Sequence, residues 1–129
     1  MKCGGIINAN LAGAMGRLGH TDFVVVCDAG LPIPPGPVVV DLAFRFGVPA
    51  FETVLSGLLE ELVIEGAVAA EEVENQNPSS HEFLRGLLPD LVLVPHEELK
   101  RMVAGAKLVV RTGEATPYSN VILRCGVPF

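Results

Sequence analysis

The sequence predicts an α/β protein, a three-layer α/β/α arrangement around a mixed, largely parallel sheet. Three observations carry that expectation. Short β-branched runs alternate with amphipathic stretches almost throughout, as in "DFVVVCDAG", "FETVLSGLLEEL", "DLVLV", "PHEELKRMVAGA" and "KLVVRTG", which is the pattern of strands covered by helices. The strand runs are apolar at consecutive positions, as in strands buried on both faces. Half of the residues are apolar, Trp is absent and Tyr occurs once, so the core is expected to be aliphatic.

Taken in order, "NANLAGAMGRLG" opens the chain with a helix. Asn8 or Asn10 can cap it, Leu11, Met15 and Leu18 share a face, and Gly19 is the expected C-terminal glycine. "DFVVVCDAG" is a buried strand stopped by glycine, "LPIPPGP" a rigid loop, and "VVVDLAF" a second strand. After "GVPA", "FETVLSGLLEEL" is helical. "VIEGAVAAEEVEN" is mixed: its β-branched residues favour strand in the first half, while its Ala and Glu favour helix. "NPSSHEFLRGLL" starts a helix with Asn77 as cap, Pro78 in the first turn, and Ser79 and Glu82 at capping-box spacing. "DLVLV", "KLVVRTG" and "NVILRCGV" are strands, and "PHEELKRMVAGA" is a helix headed by Pro95. The last two strands, adjacent in sequence, are candidates for an antiparallel pair.

With 129 residues, the chain is read as a single domain, 1–129, large enough for a core and too short for two. A mean hydropathy of +0.46 is high for a small monomer, so subunit interfaces are expected to absorb the surplus. The formal net charge is -6 and the nine basic residues are scattered, which argues against nucleic acid or an anionic membrane surface as partner. Cys3, Cys27 and Cys125 are far apart and odd in number, so neither a disulfide framework nor a zinc site is written here. A reduced cytoplasm is the expected compartment. The opening "MKCGGIINANLAG" has no continuous apolar core of a signal peptide, and every apolar run falls short of a membrane span.

Strong catalytic motifs are missing. "GAMGRLG" fits neither dinucleotide nor P-loop glycine spacing, and no nucleophile elbow, H-E-x-x-H pair or metal-spaced carboxylate cluster occurs. The expectation is therefore no cofactor and no metal. What remains is a set of polar residues at strand ends, where α/β sheets bind ligands. His20 precedes the first strand, Asp28 closes it, His96 heads a helix, and Tyr118, Ser119 and Asn120 lie in the turn "TPYSN". Taken singly, each also has a structural role open to it: His20 as a cap, Asp28 and Asn120 as turn formers, His96 as a first-turn residue, and Tyr118 as a loop anchor. His81, in a first helical turn near Glu82, is read as solvated.

The segments "RLGHTDFVVVCDAGLPIP", "GVPAF", "HEELK" and "RTGEATPYSNVILRCGV" together resemble the D-ribose pyranase family, whose superfamily also holds the fucose mutarotases. The resemblance implies a cofactor-free isomerase that interconverts the pyranose and furanose forms of D-ribose. It implies that His20 is the catalytic proton donor and that Asp28, His96, Tyr118, Ser119 and Asn120 bind the sugar. It further implies a homo-oligomer, a decamer of stacked rings, with sites at subunit interfaces. Gly30, where the fucose branch is expected to carry a histidine, favours ribose. A non-catalytic ribose-binding accessory or sensor and an L-fucose mutarotase remain as alternatives. If Gly19 ends a helix, His20 lies near the negative end of that dipole, which favours its protonated form, while His96 in a first turn is biased toward neutral.

Overall fold

The structure, a computed structural model, describes all 129 residues. In chain order the elements are α1 (Ala9–Met15), β1 (Phe23–Cys27), β2 (Val38–Asp41), α2 (Phe51–Leu59), β3 (Ile64–Ala70), α3 (Val73–Gln76), α4 (Pro78–Leu87), β4 (Val92–Val94), α5 (His96–Val103), β5 (Leu108–Arg111) and β6 (Val121–Cys125). Every strand and helix expected from the pattern is present. "VIEGAVAAEEVEN" divides as its composition suggests, its first half forming β3 and its second half the short α3.

The six strands make one sheet in the order β2-β5-β1-β6-β3-β4. β1 and β2 each pair parallel with β5, and β3 pairs parallel with β4. β6 runs antiparallel to both its neighbours, β1 and β3, so five strands point one way and one the other. The sheet is mixed and largely parallel, as expected, but the last two strands do not pair. β1 lies between them because the chain leaving β5 makes no hairpin; it passes over the end of β1. There Thr112 donates its N–H (2.9 Å) and its hydroxyl (2.8 Å) to the Cys27 carbonyl, and Ala29 donates to the Glu114 carbonyl at 2.9 Å. Gly113 permits that path: a Cβ there would collide with the carbonyl oxygens of Val48 and Arg45.

Strand alternation distributes the core between two layers. Val24 and Val26 of β1, with Val121 and Leu123 of β6, face Leu11 and Met15 of α1, Phe51, Leu55 and Leu58 of α2, and Leu84 of α4. Val25 and Cys27, with Val109 and Ile122, face Leu99 and Val103 of α5. Each such fully buried aliphatic side chain contributes about 1.5–3 kcal/mol. No helix is long and apolar enough to cross a membrane.

Two expected helix ends are revised. The Asn8 side chain caps α1 by accepting from Leu11 N–H, but the helix stops at Met15, with Gly16 and not Gly19 as its C-cap. Tertiary contacts claim the residues beyond it. The Asp22 carboxylate accepts from Gly19 N–H (2.7 Å) and Lys107 Nζ (2.8 Å), and backbone bonds with Cys125 hold the Thr21–Asp22 turn from both sides. In α4 the cap is Asn77, whose Oδ1 accepts from Ser80 N–H at 3.3 Å. The Ser79–Glu82 capping box does not form, because Asn77 holds the cap position and places Ser79 inside the first turn.

The Asn77 Nδ2 group also lies 3.1 Å from Thr116 Oγ1, 2.8 Å from Pro117 O and 3.1 Å from Ser119 Oγ, so one side chain ties α4 to the β5–β6 connection. Asn77→Ala is expected to lower stability by about 2 kcal/mol, the sum of a lost cap and about one further hydrogen bond. Ser79→Ala is expected to be nearly neutral. Urea midpoints at unchanged slope separate the two.

A second expectation concerns acid. Lys107 first, and then the Gly19 amide, hold the Asp22 carboxyl below its ordinary value of 3.8. A depressed carboxyl stabilises the fold above its unfolded pKa and loses that contribution as pH falls through its folded pKa. Melting temperatures of the wild type and Asp22→Asn, which differ at neutral pH, are therefore expected to converge as pH falls below the ordinary aspartate range. A constant gap down to the acid limit would mean that the pair contributes nothing through charge.

Candidate functional site

The polar residues singled out by sequence fall at two opposite edges of the sheet. At the carboxyl end of β1, Asp28 and Asn120 bond reciprocally: Asn120 Oδ1 accepts from Asp28 N–H at 3.0 Å, and Asn120 Nδ2 donates to Asp28 Oδ2 at 2.9 Å. Gly30 N–H completes the arrangement by donating to Asp28 Oδ1 at 2.9 Å. Asn120 is fully buried while Asp28 stays half-exposed, so the amide serves as a rigid backing for a carboxylate that still reaches the surface. The loop that follows Asp28 is held from below by Arg111, which donates to Ala29 O through Nη2 (2.8 Å) and Nε (3.2 Å) and pairs with Asp41.

Beside this pair stand His96 and Tyr118. Their rings meet edge to face, centroids 5.1 Å apart at 89°, a favourable aromatic geometry. Tyr118 takes φ 60°, a left-handed conformation uncommon for a residue with a bulky side chain, and from there its ring packs against the α5 layer. His96 opens α5, and its backbone N–H is taken by both oxygens of Glu72, at 3.0 and 3.2 Å. His96 Nδ1 is buried without a hydrogen-bond partner, which leaves Nε2 as the ring atom available to a ligand. Asp28, His96, Tyr118 and Asn120 thus gather at one end of the sheet, at the carboxyl ends of parallel strands where such folds bind small molecules.

Ser119 sits in the same turn, but its side chain serves the fold. It is buried, 2.9 Å from Thr116 Oγ1 and 3.4 Å from Ser80 Oγ, and it receives Asn77. Alternation along the chain sends it toward the α4 layer while Tyr118 and Asn120 serve the β1 edge.

His20 lies at the other end. It precedes β1, whose five residues separate it from Asp28 by roughly 16 Å at ~3.3 Å per residue. Its side chain is 52% exposed and its Nε2 is 3.1 Å from Glu65 Oε2. It lines a surface hollow of about 570 Å³ with Gly19, Glu61, Cys125 and Phe129. No helix end lies beside His20, because α1 ends at Met15; the Glu65 carboxylate faces the ring instead. For His96, too, the positive end of α5 is answered by the Glu72 carboxylate.

Sequence reasoning missed Glu72, Asn77 and Glu114, which hold the site residues or their loops. Asn77 was legible only as a cap, and Glu114, whose Oε1 accepts from Phe51 N–H at 3.1 Å, gave no local signal. His81 is half-buried in the first turn of α4 and lies 3.8 Å from Glu74 and 3.4 Å from Arg85. The buried thiol of Cys27, next to Asp28, is pushed up to about 12 by desolvation, so it stays protonated and offers no nucleophile.

Comparison with known proteins gives the chain's family. The model of the RbsD / FucU transport protein family matches residues 1–128. D-ribose pyranase 1 of Rubrobacter xylanophilus is 72% identical over 129 residues, covering all of both chains. D-ribose pyranase of Streptomyces coelicolor is 63% identical over 129 residues, again covering both completely. The structure of Bacillus subtilis RbsD complexed with D-ribose superposes with a TM-score of 0.96 at 44% identity and full coverage of both chains. FucU from Bifidobacterium longum shares the fold, with a TM-score of 0.82 at 23% identity over 95% of this chain and 97% of that one. With the match spanning the sheet, both edges and every strand, the chain belongs to the RbsD / FucU transport protein family.

Proposed function

We propose that this protein is a D-ribose pyranase, a cofactor-free isomerase that interconverts the β-pyranose and β-furanose forms of D-ribose. The observation that supports this most is the ribose-bound relative, which superposes over the whole chain. The geometry suits ring opening and closure, with a braced carboxylate and an imidazole–phenol pair at one edge and a second, exposed imidazole at the other.

The chemistry needs only proton transfers. The C1–O5 bond of the pyranose breaks with its electron pair going to O5, which takes up a proton, while the anomeric hydroxyl gives one up as the C1–O1 carbonyl forms. The C4 hydroxyl oxygen then adds to C1 and sheds its proton, and O1 regains one, so the sum is an isomerisation. In this reading His20 donates to O5 and His96, through Nε2, takes the anomeric proton. Asp28, backed by Asn120 and Gly30, accepts from sugar hydroxyls, and Tyr118 covers a sugar face. Ser119 contributes by holding the turn.

His20 and Asp28 of one chain are too far apart to touch one pentose, so the reading requires a homo-oligomer in which His20 of one subunit completes the pocket of another. The decamer of stacked rings implied by the family resemblance provides such contacts. Exposed Phe44 and Phe46, at 76% and 82%, and the bare edge valines Val38 and Val39 offer apolar surface for them. The compartment that fits is the cytoplasm, where the thiols of Cys3, Cys27 and Cys125, all free, stay reduced.

The test is exchange between pyranose and furanose signals of ribose in magnetisation-transfer NMR at trace protein concentration. His20→Ala and His20→Gln are expected to fold and assemble but to lose about 10²–10⁴-fold of the acceleration. Mixing inactive His20→Ala with inactive Asp28→Asn through subunit exchange is expected to restore about a quarter of the sites. No restoration in mixed oligomers would place the two residues in separate functions. Ribose binding without any acceleration by the wild type would make the protein an accessory or sensor.

Sugar choice gives a separate expectation. Gly30 presents no imidazole and leaves open space beyond the Asp28 oxygen 3.7 Å from where its Cβ would stand, so ribose exchange is expected to outpace L-fucose exchange under identical conditions. Equal or faster exchange of fucose would assign the chain to the mutarotase branch.

A further inference from the structure

We infer that Glu65, carried on a β-bulge and locked by Arg124, is a positioning residue that fixes the tautomer of His20 and makes Nδ1 its proton-donating atom. This rests on the reading of His20 as the proton donor and adds two residues to it.

The bulge is visible in the register. Cys125 and Arg124 are consecutive on β6, yet their partners on β3 are Ile64 and Gly66, so Glu65 is the extra residue. A bulge leaves its residue outside the ladder and turns its side chain away from the regular alternation, a device common beside active sites. Here it brings one carboxylate between two cationic groups from different elements. Glu65 Oε1 is 3.1 Å from Arg124 Nε, and Glu65 Oε2 is 3.1 Å from His20 Nε2. The neighbouring charges are otherwise engaged: Glu61 Oε1 accepts from Ile6 N–H at 2.6 Å, and Asp22 is paired with Lys107.

The three side chains are about one-third to one-half exposed, and ion pairs so exposed contribute little to stability. Their consequence is directional. A carboxylate only accepts, so Nε2 of His20 must carry a proton toward Glu65, and the nitrogen left to face a substrate is Nδ1. When the imidazolium gives up a proton, the neutral ring keeps Nε2–H on Glu65 and releases the Nδ1 proton. Arg124 holds the other oxygen, which stops the carboxylate from rotating out of line.

Glu65→Gln tests this without changing size. Arg124 can only donate, so it claims the amide oxygen, and the amide NH₂ then faces His20 Nε2. That nitrogen must become an acceptor, which drives the neutral ring to its Nδ1–H tautomer and opposes release of the Nδ1 proton. In ¹⁵N-histidine NMR, with the His20 signals assigned by their loss in His20→Gln, the wild type is expected to show the Nε2–H tautomer and Glu65→Gln the Nδ1–H tautomer. The kcat for ribose exchange is expected to fall about tenfold or more with KM and melting temperature unchanged, as for other carboxylates that set the tautomer of a catalytic imidazole. Arg124→Gln is expected to show a smaller fall of the same kind. A His20 tautomer and kcat in Glu65→Gln identical to the wild type would overturn the inference. Full activity of His20→Gln would instead overturn the donor reading, and the NMR result on Glu65→Gln stands apart from that outcome.

Discussion

Strand β6 is the constraint on which the molecule depends. It runs against its two neighbours in a sheet whose other five strands are codirectional, and it therefore joins the two edges where the candidate site residues lie. Its amino end delivers Asn120 to the carboxyl end of β1, where the amide braces Asp28. Its carboxyl end delivers Arg124 and Cys125 to the amino ends of β1 and β3, where they meet Glu65 and the Thr21–Asp22 turn that follows His20. A parallel strand in that place would have put Asn120 and Arg124 at the wrong edges.

The cost of that arrangement is a connection, residues 112–120, that crosses the end of β1 with several polar groups out of water. Buried polar groups destabilise unless paired, and here they are paired: Thr112 on Cys27 O, Ser119 within the Thr116, Asn77 and Ser80 group, and Asn120 on Asp28. Outside the connection, His96 Nδ1 is buried without a partner, in the ring that stands next to Tyr118. The same hydrogen bonds that satisfy the connection also fix the carboxylate, so order at the site follows from the requirement to satisfy the crossing.

In the proposed reading, separating the two edges by the length of a strand leaves each chain with half a site twice over. Each chain presents the Asp28–Asn120 edge and, elsewhere, the exposed His20 imidazole backed by Glu65. In that reading, proximity of donor and substrate is a property of assembly, and the uncovered Phe44 and Phe46 are apolar surface available to it.

The sequence by itself determined the elements and singled out the candidate site residues. Consecutive apolar residues in "FVVVC" and "LVVR" and the amphipathic spacing of "HEELKRMV" are local signals, and strands and helices follow from such signals through burial. Asp28, His96, Tyr118 and Asn120 were legible because they sit where apolar runs stop. The tertiary structure alone decided what each contacts. It placed β1 between β5 and β6, ended α1 at Met15, spent Ser119 on the α4 cap, and put His20 and Asp28 at opposite edges. The reason is distance along the chain. His20 meets Glu65 across 45 positions and Asn120 meets Asp28 across 92, and no local pattern encodes a partner so remote; strand order and direction do.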